Sequence, residues 1–179
     1  MNRIFFNYEV NIVMEKTQYL QFIERKYQKH FSVYNDFELF NMNFDIYAKF
    51  SEVGGRTFIT HADVIDRYEV YEHCFVKSFN KLEINEVENF SEFLKALTIN
   101  FVKPNKEHKS TKITGVLVSD EPISNEVVKL IESFKHTKYY KFLLQGYSDV
   151  RLLAVDLSNK KVFSNKVGKE VKKVFTPTP

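Results

Sequence analysis

The chain of 179 residues has no tryptophan and a single cysteine, Cys74. A lone cysteine excludes an internal disulfide and suits a reducing compartment. No apolar run reaches the length of a bilayer-spanning helix. The opening MNRIFFNYEVNIVM is broken by Asn7, Glu9 and Asn11, which makes it a poor signal peptide. These absences predict a cytoplasmic protein without a membrane partner. Glycine-rich phosphate loops, nucleophile elbows and dinucleotide fingerprints are also missing. None of the five histidines pairs with another histidine or with Cys74 at metal-ligand spacing. No metal, cofactor or catalytic residue is therefore expected.

The length suits one domain able to bury a core. The formal net charge of +3 does not by itself mark a nucleic-acid partner. The lysine excess is concentrated in residues 103–112 and 158–173, most simply as solvated surface.

Hydrophobic periodicity divides the chain. Residues 1–13 look like an extension, with Met14 a second candidate start, although Ile4, Phe5, Phe6, Val10, Ile12 and Val13 could instead form a strand. Leu20, Ile23, Tyr27 and Phe31 share a helix face, with Thr17 as a candidate N-cap. Residues 36–79 read as three strands. Phe44, Ile46, Ala48 and Phe50 alternate, Gly54-Gly55 signals a hairpin, Arg56 to Thr60 returns, and Val70 to Phe79 follows a loop or helical turn over 61–67. Val87, Phe90, Leu94, Leu97 and Phe101 form a second helical stripe, with Asn85 and Glu88 as a capping box. Lys112 to Val118 reads as a buried strand. Pro122 and Ser124 open a third helix. Strands are predicted at 139–145 and 149–157, then a short one at Lys161 to Ser164. The expected fold is one α+β or α/β domain over residues 14–175, in the order α-β-β-β-α-β-α-β-β, with a mixed sheet flanked by helices and a disordered tail at 176–179.

Four candidate sites follow from residue chemistry. Arg151 opens RLLAVDL, apolar on both strand faces, so a buried guanidinium there needs a partner; Asp149, two residues earlier, is one. Anion recognition is the functional alternative for Arg151. His108, Ser110 and Thr111 fall in a basic loop before the buried strand and are candidates for a ligand or phosphate role. Lys160, Lys161, Lys166, Lys169, Lys172 and Lys173 face only Glu170 as an opposing charge. Lys169, Lys172 and Lys173 would lead any weak, salt-sensitive binding of an anionic ligand or nucleic acid. Cys74 reads as a buried small thiol.

The order helix, three strands, helix, strand also resembles the restriction-endonuclease-like core, an analogy that does not fix function. That core sets an acid and a lysine two residues apart on one strand. Here Phe75 precedes Lys77 and Tyr47 precedes Lys49 at that spacing, while Glu72 lies at an odd offset from Lys77. Metal-dependent nuclease activity is not expected.

The stretches EKTQYLQFIERKYQKHF, KPNKEHKSTKITGVLVSDEPI and KFLLQGYSDVRLLAVDLSNKKVFSNKVGKEVKKVF resemble a family of small clostridial and related Firmicute proteins known as a domain of unknown function. The resemblance runs from Met14 to Phe175. It implies a bacterial cytoplasmic protein complete in one domain and brings no activity, substrate or catalytic residue. The leading expectation is a non-catalytic binding or interaction protein engaging an anionic ligand through a basic face. The alternatives are an enzyme on nucleic acid or phosphorylated substrates, using Asp45, Lys49, Glu72 or Lys77, and a homodimer joined at a sheet edge.

Overall fold

A computed structural model describes residues 14–57 and 64–177. The expected extension at 1–13 and the last two residues of the expected tail lie outside the described residues. Thr176 and Pro177 are described, and Pro177 is buried.

The elements are α1 (Lys16–Tyr27), β1 (Ser32–Leu39), β2 (Met42–Thr57), β3 (Val64–Phe79), α2 (Ile84–Asn100), β4 (His108–Ser119), α3 (Asn125–Ser133), β5 (Thr137–Tyr139), β6 (Tyr147–Asp156) and β7 (Lys161–Ser164). Two 3-10 helices, Val167–Glu170 and Lys172–Phe175, follow. The fold is a single α+β domain with a mixed sheet of seven strands, in the expected element order. Among the described residues, no helix is long and apolar enough to cross a membrane.

The sheet order is β1-β2-β3-β4-β6-β5, with β7 also on β6. β1, β2 and β3 are antiparallel, whereas β3, β4 and β6 run parallel. Parallel neighbours need a crossover, and α2 and α3 supply the two required here. β4 is interior, as its apolar run predicts. β6 alternates between two cores, with Val150, Leu152 and Ala154 under α2 and α3, and Leu153 and Val155 on the opposite face. Phe90, Leu94, Leu97 and Ile131 cover the first face. Tyr19, Ile23 and Tyr27 of α1, with Phe175 of the last 3-10 turn, cover the second. The Tyr19 hydroxyl donates to the Phe175 carbonyl at 2.7 Å, and Lys26 Nζ to that of Val174 at 2.8 Å.

Four local expectations are corrected. Gly54 and Gly55 are not a turn: they lie inside β2, opposite Tyr68 and Arg67. The Tyr68 ring covers Gly54, where a Cβ would sit 2.2 Å from its Cζ, so glycine serves a cross-strand aromatic contact. The first expected run and the start of the second, Arg56 and Thr57, are thus one strand, and residues 58–63 lie outside the described residues. Val64 to Arg67, expected in a loop, belong to β3. The first strand is instead Ser32–Leu39, whose many exposed polar positions hide its alternation. It turns into β2 through Phe40 and Asn41, at φ 50° and 60°. Residues 139–145 are not a strand. β5 stops at Tyr139, and the apolar run after it is an exposed turn, a distinction that periodicity cannot draw. Helix starts also shift: α1 is capped at Glu15 rather than Thr17, and Glu86 reaches back to the Glu83 N–H at 2.7 Å, in place of the Asn85–Glu88 pair. Ser124 does cap α3, accepting from Val127 N at 3.3 Å.

The packing of α2 is open to direct test. Phe90→Ala or Leu94→Ala should each cost about 2–5 kcal/mol, because each empties a fully enclosed site. Denaturant midpoints measure this, and an unchanged midpoint in both variants would contradict the packing.

Candidate functional site

Open α/β sheets usually hold ligands beyond the carboxyl ends of their parallel strands. Here that end is tied shut. Asp120 N donates to the Phe79 carbonyl at 3.2 Å, Leu157 N to that of Ser119 at 3.0 Å, and Lys16 pairs with Asp120 at 2.8 Å. Asp156 accepts from Ser158 Oγ, Asn159 N, Asn159 Nδ2 and Ile123 N at 2.6, 2.8, 3.0 and 3.1 Å. Burial alone would raise its carboxyl, but these donors hold it below the usual range. Its acceptor capacity is spent on closing loops.

The opposite end differs. β4 pairs Glu69 with His108 and Val70 with Ser110, so Lys109 is an extra residue in the ladder. Such a bulge re-aims the chain. His108 and Thr111, three apart, meet on one side, with His108 Nε2 2.9 Å from Thr111 Oγ1. His108 Nδ1 lies 2.7 Å from the Gln145 carbonyl, which can only accept. Nδ1–H therefore donates to that carbonyl, and Nε2 and the Thr111 hydroxyl share the second bond. The Tyr140 hydroxyl meets Ser148 Oγ at 2.9 Å and the Thr98 carbonyl at 3.2 Å. Gly146, at φ +72°, closes the loop: Tyr140 N donates to its carbonyl at 3.0 Å, and a Cβ on it would lie 2.4 Å from the Lys109 carbonyl oxygen.

On this fixed base Lys141, Phe142 and Leu143 all take left-handed backbone, at φ 44°, 54° and 72°. For L-residues that conformation costs on the order of 1–2 kcal/mol each. It persists only where the surroundings impose it. The result is that Phe142 is 98% exposed, Leu144 78% and Leu143 57%. Beside this tip a cleft of about 500 Å³ is lined by Arg67, Lys106, Lys109, Glu107, Leu143 and Leu144. Among the described residues, Glu107 is the only acid of this lining, and it faces Arg67 at 3.5 Å. Lys109 Nζ stands 4.9 Å over the Tyr68 ring.

The candidates read from sequence are dispersed. His108, Ser110 and Thr111 lie within β4 rather than in a loop, and all three are buried. His108 and Thr111 hold each other. Arg151, 4% exposed, bonds Glu170 at 2.7 Å and Glu72 at 3.1 Å, not Asp149. Asp149 instead accepts from Thr137 Oγ1 at 2.6 Å, because β5 pairs along that stretch of β6. Lys112 joins Glu170 at 3.1 Å. Hydrogen bonds from Arg151 and then Lys112 hold the Glu170 carboxyl below its ordinary range. Lys169, Lys172 and Lys173 are exposed on the 3-10 turns. Glu170, their one nearby acid in sequence, is engaged by Arg151 and Lys112 while its side chain stays more than half exposed.

Asp45 and Lys77 share a second hollow of about 440 Å³ with Asp36 and Asn43. Asp45 Oδ2 accepts the Ser78 N–H, and Lys77 leans over the Phe79 ring at 5.8 Å. Lys49 lies elsewhere, over Tyr34 at 5.2 Å, and Glu72 is on the opposite face with Arg151. Among the described residues, no group of three His, Cys, Asp or Glu side chains is arranged to hold a metal ion. Cys74 is buried beneath α1, and burial pushes its thiol up to about 12. The residues that sequence reasoning missed are Arg67, Lys106 and the Phe142–Leu144 tip. The available signal was an unbroken apolar triplet between Lys141 and Gly146, with Lys138 and Lys141 before it.

Two consequences are measurable. Glu72→Ala with Glu170→Ala leaves the Arg151 guanidinium buried and uncompensated, so the double variant should lose about 3–5 kcal/mol in chemical denaturation. A loss no greater than that of a surface substitution would refute the network. Burial, with Lys49 nearby, pulls the His73 imidazole down to about 4. Burial, with Tyr34 nearby, pushes the Tyr47 hydroxyl up to about 12, so it stays protonated and donates to His73 Nδ1 at 2.9 Å. In the unfolded chain the imidazole takes its proton near ~6.5. The unfolded state then binds more protons between these values, and stability falls as pH drops through them, by about 3 kcal/mol at most from this group. His73→Gln should flatten that part of the melting-temperature profile; superimposable acid limbs would contradict it.

No match was found among curated proteins or among solved structures. A family model does match, over residues 15–177, and so takes in both cores, the loop base and the 3-10 turns. On that match the chain belongs to the family described as a domain of unknown function, DUF8052.

Proposed function

We propose that this chain is a non-catalytic binding protein of the bacterial cytoplasm that engages an anionic partner through the amino-terminal end of its parallel strands. The observation that carries this reading is the cleft in which Arg67, Lys106 and Lys109 converge against one acid among the described residues, itself opposed to Arg67. Cations gathered in a concave surface focus potential more than the same number scattered. The clostridial kinship rests on the resemblance of the three stretches quoted above, and the cytoplasmic placement on the buried lone thiol.

The restriction-endonuclease analogy draws support from the order α1-β1-β2-β3-α2-β4. It lends none to nuclease chemistry, since Asp45, Lys49, Glu72 and Lys77 are divided among three places. A dimer through β1 is disfavoured by the positive φ of Asp36, which breaks the edge between the Asn35–Ile46 and Phe37–Phe44 pairs.

The test uses labelled single-stranded DNA and inorganic polyphosphate as polyanion probes. Both should bind at about 50 mM salt and weaken steeply as salt rises. Lys106→Glu with Lys109→Glu should lower affinity about tenfold or more. No binding at low salt would remove the reading. A loss confined to charge reversal at Lys169, Lys172 and Lys173 would move the site to the C-terminal turns.

A further inference from the structure

We infer that the physiological partner of this end is an anionic membrane surface, into which the 141–144 tip inserts. The inference rests on the anion-binding reading above and names its partner. Three observations combine.

The first is projection. A phenylalanine that is 98% exposed stands clear of the described residues, and Leu144 and Leu143 stand beside it. A protein partner would need a pocket shaped to this tip. A bilayer interface accepts projecting apolar side chains of any shape.

The second is charge. Lys141 is in the tip, Lys138 precedes it in β5, and Arg67, Lys106 and Lys109 line the cleft with Leu143 and Leu144. Apolar side chains at the point with cations behind them match the layering of an anionic leaflet, acyl chains beneath charged headgroups. Tyr139, 62% exposed, adds an amphipathic ring of the type that favours the headgroup level.

The third is rigidity. The His108–Gln145 bond, the Tyr140 hydroxyl bonds and Gly146 hold the base, so the tip is already shaped and little ordering is needed on contact. The Asp45–Lys77 hollow and the C-terminal lysines lack this combination.

The experiment is flotation of the full chain with phosphatidylcholine vesicles, with and without phosphatidylserine, beside the soluble polyanions. Binding should require phosphatidylserine. Phe142→Ser should cut partitioning about tenfold while leaving polyanion binding and the melting temperature unchanged, because that side chain lies in solvent and is not part of the cleft lining. A polarity-sensitive dye on Phe142→Cys reads insertion directly, since Cys74 is buried and poorly ionised; a blue shift is expected on anionic vesicles. Vesicle binding indifferent to Phe142→Ser, or a dye with no shift, would overturn insertion. Polyanion binding without vesicle binding would overturn the membrane partner and leave the anion-binding reading standing. Binding to neither would remove both.

Discussion

The fold depends on burying the parallel strands β4 and β6 from both sides. Their apolar residues point alternately up and down, so covering one face leaves the other unfinished. The crossover helices α2 and α3 cover one face as a by-product of chain direction. The other is completed from the two ends of the domain, by α1 and by the last 3-10 turn, joined at the Tyr19 hydroxyl and the Phe175 carbonyl. The segment that looks in sequence like a basic tail is therefore part of the core. Its lysines face water while Phe175 faces inward and Glu170 ties the turn to Arg151.

Much of this was legible. The α2 stripe and the β4 run were unambiguous because each matches one period and is bounded by polar residues. β6 was legible too, but its pairing was not. Arg151 declared a need for a partner, yet Glu72 lies 79 positions away and Glu170 lies 19 away, and only the register of β3, β4 and β6 brings them together. Gly54-Gly55 misled because a glycine pair signals a turn on its own, and only the ring of Tyr68 explains it in a strand. The 139–145 run misled for a related reason. Hydrophobicity predicts burial, and here the backbone of three residues is held where it defeats that prediction. The candidate site was legible only as scattered lysines, since its convergence depends on a bulge at Lys109 and a loop closed by Gly146.

The electrostatics divide along the same lines. Three acids are spent on partners within the fold: Asp156 on loop donors, Glu170 on Arg151 and Lys112, Asp45 on the Ser78 amide. Lysines are left outward, so a mild net charge becomes uneven surface fields.

β5 and β7 leave a gap on β6, and one side chain fills it. Asn165 accepts from Leu152 N at 3.1 Å and donates to the Val150 carbonyl at 3.0 Å, standing in for a strand residue. It also accepts from Gly168 N at 2.9 Å, which starts the next turn. The far border of the sheet is thus three residues of β5, an amide and four residues of β7, rather than one continuous template. Growth of the sheet by addition of further chains would have to begin at β1 and could not continue from the other side. Edge association of this protein would end at a pair and would not propagate into a fibre.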